Sequence, residues 1–164
     1  MGLVNFTLMQ SRESNHILTT GGCQCVAKRY AFTGKWRAAE ICHCRMCQKA
    51  FGNWGAAFVE VSIANLRWQG ESPDAFRSSP PVQRLFCRHC GTPMGMHEDG
   101  DDFVDIAVGT LDDPSDVAFT RQIGIESRLL WFSKLHSLAE FKTQDTRPAK
   151  ERARLKSNQF DDKP

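Results

Sequence analysis

Seven cysteines stand in three blocks: Cys23 and Cys25, then Cys42, Cys44 and Cys47, then Cys87 and Cys90. Cysteines that only filled a core would scatter along apolar periodicities. These are gathered as C-x-C, C-x-C-x-x-C and C-x-x-C, knuckles in which a tight turn aims the sulfurs at one point. An odd number cannot be paired off as internal disulfides, and a reducing cytosol would not keep them. The chemistry that remains is thiolate binding of a metal, zinc first, which takes four ligands. The seven sulfurs divide as four plus three. Cys42, Cys44 and Cys47 are contiguous enough to hold one ion alone. Cys23 with Cys25 and Cys87 with Cys90 then each supply half a tetrahedron, stapling the start of the domain to its middle as a structural zinc does. Three protein ligands leave a fourth position open to water or substrate, the pattern of a catalytic zinc. A His, Asp or Glu elsewhere could close that position instead, and His43, His89, His97 and His136 are available. His43 and His89 lie inside their knuckles and are expected to face solvent or to bond behind the ligands.

Other residues near the blocks carry weaker signals. Arg29, Arg45 and Lys49 could meet a carboxylate of a thiol ligand, although a solvated basic face is the plainer reading. Trp54 and Phe58 follow the triplet. Phe58 reads as core, whereas Trp54 could serve the core or wall a ligand. Asp112 and Asp113, just before Pro114, read as turn residues.

The elements that must position these groups are mostly strands. Cys23 to Phe32 suits a strand or hairpin arm ending at Thr33-Gly34, and Trp36 to Ile41 suits a second strand leading into the triplet. Phe58 to Ile63 is rich in β-branched residues. Gln69 to Arg84, with three prolines and several serines, reads as a loop or short hairpin, and Gln83 to Phe86 as a brief strand delivering Cys87. Phe103 to Val108 alternates as a half-buried strand and stops at the turn signal Gly109-Thr110-Leu111-Asp112-Asp113-Pro114. Asn5 to Met9 and Phe119 to Ile125 are further strand candidates. Ser133 to Phe141 predicts a short helix with Leu135, Leu138 and Phe141 on one face. The organisation is an irregular lead over 1–18, one mainly β domain over 19–141 and a flexible polar tail over 142–164.

Length and composition agree with a single globular domain. The chain has 164 residues, 41% hydrophobic and 24% charged, too apolar for a disordered segment. No run approaches the roughly 18 apolar residues a membrane span needs. The N-terminus lacks the basic start and apolar stretch of a signal peptide, and Phe6 stands where a myristoylation site needs Ser or Thr. The expected location is therefore the cytoplasm. The net charge of +2 is concentrated: Lys142 to Pro164 holds seven basic and four acidic residues. The other 141 residues are thus about one unit acidic, which argues against nucleic acid as a partner.

GGCQCVAKRY (21–30), CHCRMCQKAFG (42–52) and FCRHCGTPM (86–94) resemble the glutathione-dependent formaldehyde-activating enzyme and centromere protein V family. VGTLDDP (108–114) and Trp131-Phe132 look like later blocks of the same family. The resemblance implies a zinc-stapled β-tent of small antiparallel sheets with one or two short helices. It implies two Zn²⁺ per chain: a structural zinc on Cys23, Cys25, Cys87 and Cys90, and a catalytic zinc on Cys42, Cys44 and Cys47. It also implies a carbon–sulfur lyase acting on S-hydroxymethylglutathione or a similar thiol–aldehyde adduct, with glutathione or another small thiol as partner. Two positions depart from the family pattern. Val26 stands where the family commonly has Gly after the second cysteine, and Gln122 where a His often precedes Ile123. Two other readings compete with the lyase. One is a non-catalytic zinc-stapled binding module using the basic tail residues Lys150, Arg152, Arg154 and Lys156. The other is a redox sensor built on the triplet.

Overall fold

Strand β2 (Lys28–Thr33) turns Tyr30 and Phe32 to one face and buries both. It lies between β1 (Leu18–Gly22) and β5 (Leu66–Gly70) in a three-stranded antiparallel sheet. The structure, a computed structural model, describes residues 17–154. The expected strand at Asn5 to Met9, and Lys156 of the basic tail, lie outside the described residues.

The second sheet has seven strands. Its order is β10 (Arg121–Ile123), β3 (Ala39–Cys42), β4 (Ala56–Ser62), β9 (Phe103–Ala107), β8 (Pro93–Glu98), β7 (Val82–Phe86) and β6 (Asp74–Ser79). Every pairing in it is antiparallel except that of β10 with β3. The mainly β architecture is the one expected, with the addition of one parallel edge strand.

Period-two alternation gives the large sheet two apolar faces. Val59, Val61, Val104 and Ile106 meet Tyr30, Phe32 and Leu66 of the small sheet in the main core, which also takes in Cys23 and Cys87. Phe58 points the other way, with Ala56, Cys42 and Cys47, into a second cluster against Phe51 and Met96. Burying a side chain such as Phe58 contributes about 1.5–3 kcal/mol. The chain departs from strict alternation on β8. A register shift leaves Met94 as an extra residue, so Met94 joins the main core while Met96 faces the second cluster.

Several elements differ from expectation. Cys23 lies in a turn, and the strand starts only at Lys28 because the chain must fold back to aim the sulfur. The 69–84 stretch is a hairpin, β6 with β7, preceded by β5, whose Trp68 packs edge-on against Tyr30. The α-helix α1 (Arg45–Phe51) was hidden in the triplet, and β8 in a segment interrupted by Pro93 and Gly95. The expected helix at Ser133 to Phe141 is a 3-10 helix over Leu130–Ser137, and of its expected buried face Leu135 is half-buried while Leu138 is 61% and Phe141 72% exposed. A second short helix, α2 (Ala149–Arg152), is exposed but for the half-buried Arg152.

One polar residue of the large sheet has an unusual environment. Asp105 on β9 pairs with Glu60 on β4 and Met96 on β8. Its burial, followed by the charges of Glu40, Glu60 and Asp101, pushes its carboxyl from the usual 3.8 up to about 7, with Arg121 opposing. The unfolded chain releases this proton near the ordinary value, while the folded chain keeps it until about pH 7. Between those values the folded state binds more protons, so this residue's effect on stability worsens as pH rises and levels off above pH 7. Asp105→Asn should therefore match the wild type in thermal melts near pH 4 and exceed it in Tm by about 2 °C or more at pH 8. Equal Tm differences at both pH values would refute this account.

Candidate metal centres

The four-cysteine centre is assembled from two turns. After β1 the chain reverses through Cys23 and Cys25, where Val26 N–H donates to the Cys23 carbonyl and Cys23 N–H to the Lys28 carbonyl. After β7, Gly91 N–H donates to the Cys87 carbonyl and Cys87 N–H to the Thr92 carbonyl. Thr92 locks the two turns together: its Oγ1 accepts from the Gln24 amide at 3.1 Å and lies 3.1 Å from the Cys90 sulfur. The ligand sulfurs of Cys23, Cys25, Cys87 and Cys90 all lie within 4.8 Å of one another. Cys23 and Cys25 sulfurs are 3.6 Å apart, and Cys25 and Cys87 sulfurs 3.8 Å. Those separations are far beyond a disulfide bond of about 2.05 Å. They match the edge of a tetrahedron with zinc–sulfur bonds of about 2.3 Å, which is about 3.8 Å.

The electrostatics of this cluster are those of crowded thiols. Burial pushes the Cys23 thiol up to about 12, and it pushes Cys87 up as well. Burial would raise Cys90 too, but hydrogen bonds from Thr92 and Cys25 outweigh it and hold that thiol at about 6. The four sulfurs cannot all ionise without a cation among them. Beside them, the buried Lys28 amine donates to Glu71 Oε2 at 2.9 Å and to the Ser72 carbonyl at 2.8 Å, with Asp74 at 3.4 Å. Its charge is thus balanced by carboxylates.

The three-cysteine centre is built at the start of α1. Cys42 ends β3, and Cys44 caps the helix, its sulfur accepting from the Cys47 amide at 3.4 Å. The C-x-x-C spacing therefore puts both sulfurs at the helix N-terminus. Gly52, in the left-handed conformation, ends the helix and returns its N–H to the Lys49 carbonyl. Gln48, buried on α1, donates to the His43 carbonyl at 2.6 Å and to the Ser127 carbonyl at 2.9 Å. It ties the knuckle to the segment after β10. Gly124 in that segment has φ +63°, and a Cβ there would lie 2.7 Å from the Cys44 amide nitrogen. The three sulfurs lie within 4.8 Å of one another, and among the described residues no His, Asp or Glu joins the group.

His43 is a correction to the solvent-facing expectation. It is fully buried, with Phe132 edge-on at 4.6 Å and Trp54 at 5.9 Å between ring centroids. Its Nε2 lies 2.9 Å from Gln122 Oε1, and its Nδ1 has no hydrogen-bond partner among the described residues. Burial of the aromatic trio, in which Trp54 and Phe132 are 4.8 Å apart, outweighs the pull of water on one imidazole. Gln122, one of the two departures, is thus the residue that anchors this histidine. His89 is exposed beside Glu71, and His97 bonds the Asp101 carbonyl, so neither enters the triplet.

Residues the sequence did not single out complete the site. Arg84 on β7 is only 6% exposed, and its Nη1 donates to Cys47 Sγ at 3.3 Å and to Met96 Sδ at 3.0 Å. Neighbouring Cys42 chiefly, opposed by burial and helped by Arg84, moves the Cys47 thiol down. Cys42 moves the other way, through its bond to Cys47 and its burial. A cavity of about 590 Å³ lies along α1, β6 and β7, lined by Arg45, Met46, Lys49, Phe76, Arg84 and Leu85 among others. Arg84 stands between this cavity and Cys47. Of the expected carboxylate-binding residues, Arg45 and Lys49 reach the cavity and Arg29 does not: it is committed to Asp112 at 2.7 Å. Asp112 also accepts from Thr20, and Asp113 from Ser115, so both brace the turn expected of them.

The chain matches the model of the family described as glutathione-dependent formaldehyde-activating enzyme over residues 18–127. It belongs to that family. The matched span holds both cysteine centres, Arg84 and the cavity. A crystal structure of a Rhodobacter sphaeroides protein is similar in fold, with a TM-score of 0.50 at 20% identity, covering 63% of this chain and 98% of that one. No curated protein matches the chain. None of the described helices is long and apolar enough to cross a membrane.

The family's Gly after the second cysteine has a physical counterpart here. Val26 takes φ +55° and is the one non-glycine described residue with a positive φ. A β-branched residue is an outlier in that region, at a cost of about 1–2 kcal/mol. Asn tolerates the same conformation without adding glycine's unfolded-state entropy. Val26→Asn should stabilise the protein by about 1 kcal/mol, read as a Tm about 2–4 °C higher. An unchanged or lower Tm would show that the turn carries no such strain.

Proposed function

We propose that this protein is a zinc-dependent carbon–sulfur lyase acting on S-hydroxymethylglutathione or a similar thiol–aldehyde adduct, with two Zn²⁺ per chain. The observation that carries the reading is a largely buried three-cysteine cluster with no fourth protein ligand among the described residues, next to a cavity with a basic rim. The four-cysteine cluster fits a structural zinc, since its donor set is complete and its sulfur separations suit a tetrahedron. The family description supplies glutathione as the thiol and formaldehyde as the carbonyl compound.

The reaction is simple in its atoms. In R–S–CH₂–OH the carbon–sulfur bond breaks with its electron pair on sulfur. The hydroxyl gives up its proton and becomes the carbonyl of formaldehyde, and a proton returns to sulfur as the thiol. Zinc on Cys42, Cys44 and Cys47 would supply a Lewis acid that favours the thiolate of the leaving sulfur. The chain's own groups do the binding. Arg45 and Lys49 are placed to hold the carboxylates of the thiol in the cavity, where charge-assisted bonds are strong. Met46, Phe76 and Leu85 give the cavity apolar walls that exclude water from the body of the ligand.

Reduced protein analysed by native mass spectrometry should carry two zinc ions. Cys47→Ser should keep the one in the four-cysteine cluster. Exchange of formaldehyde with glutathione, followed by NMR, should be accelerated by the wild type. The variant should lose about 100-fold or more of that acceleration, since a ligand matters at least as much as the residues behind it. Two zinc ions with no acceleration over the spontaneous exchange would reject the lyase.

A further inference from the structure

Arg84 presents an electrostatic problem that the proposed reaction does not by itself explain. Its guanidinium is buried, and the bonds it makes are to Cys47 Sγ, Met96 Sδ and, through Nε, Ser78 Oγ at 3.1 Å. No carboxylate among the described residues pairs with it, whereas Arg29, Arg37, Arg77, Arg88 and Arg121 each have one. A buried charge without a counter-charge is strongly unfavourable. The anionic partner within its reach is the cysteine cluster. Three thiolates around a divalent ion leave one negative charge, and Arg84 cancels it.

We propose that Arg84 is a positioning residue that holds the three-thiolate centre electrically neutral so that a fourth, exogenous thiolate can bind. This rests on the reading of that centre as an open zinc site. Without Arg84 the incoming thiolate would meet a net negative centre and bring its charge to −2, the total of a saturated four-thiolate site. With Arg84 the same step ends at −1. Arg84 also lines the cavity from which the thiol would arrive. The proposal concerns the charge of the ligand's sulfur, and so it separates from any role of Arg45 and Lys49 in binding carboxylates.

The test uses full-length protein loaded with Co²⁺ in place of zinc, whose absorption bands report the donor set at the open centre. The probes are 2-mercaptoethanol, which has no carboxylate, and imidazole, a neutral fourth ligand. Arg84→Met should weaken 2-mercaptoethanol by at least about ten-fold, the least expected of one charge at this distance. Its affinity for imidazole should change by less than about two-fold, because no charge arrives with that ligand. Arg84→Lys, which keeps the charge, should stay close to the wild type with both probes. An unchanged affinity for 2-mercaptoethanol in Arg84→Met overturns the proposal, as does an equal loss for thiol and imidazole. Should Arg84→Met not retain cobalt at the triplet, the lysine variant decides: two bound metals with a ten-fold weaker thiol also overturn it. A wild type whose spectrum ignores every thiol refutes the open-site reading itself, and this role falls with it.

Discussion

Buried sulfur is the constraint around which the molecule is organised. Thiols crowded within a few ångströms cannot all ionise in a dry interior, and each must also be held by something stiffer than its own side chain. The fold answers with pairs of turns and strands. Cys23 and Cys87 are buried in the main core between the two sheets, while Cys25 and Cys90 are half-buried beside it, so the four-sulfur cluster cannot come apart without opening that core. Cys42 and Cys47 sit in the smaller core on the outer face of the large sheet, under α1. The two centres share β7. Its Arg84 reaches one, and Cys87 just beyond its end belongs to the other.

The grouping of the sulfurs is legible in the amino-acid sequence alone, because knuckle spacing is a local property. So are the strands whose alternation is uninterrupted, such as β4 and β9. What the sequence hid was non-local. Gln48 looks like any polar helix residue until the Ser127 carbonyl arrives from 79 positions away to meet it. Arg84 has the same local signal as an exposed strand arginine; only the position of β7 beneath α1 makes it a neighbour of Cys47. The 3-10 helix at Leu130–Ser137 failed for a related reason. Its apolar residues suggested a buried face, but the contact that matters is one ring, Phe132, against His43.

The departures from the family pattern are instructive because one costs energy and the other is accommodated. Val26 keeps the backbone conformation that glycine would take and accepts the strain, since the turn must still carry Cys25 to the cluster. Gln122 replaces a residue type that could itself bind metal or move protons, yet it lies on the short parallel strand β10 and spends its carbonyl on His43. A substitution in the outer strand has thus been absorbed by a hydrogen bond to the knuckle without touching a sulfur.

The two clusters also differ in how the surrounding charges are arranged, and this difference separates their chemistry. Next to the four sulfurs, Lys28 is already neutralised by Glu71 and Asp74, and Arg88 by Asp74. Those cations have nothing left to offer an incoming anion, which suits a centre whose coordination is complete. Next to the three sulfurs, Arg84 has no carboxylate partner among the described residues, and Arg45 and Lys49 line an open cavity. Of the two buried cations, Lys28 and Arg84, the one without a carboxylate among the described residues is the one beside the centre proposed to be open. Two clusters made of the same atoms thus sit in opposite charge environments, which is what the proposed division into a structural zinc and a thiolate-receiving zinc requires.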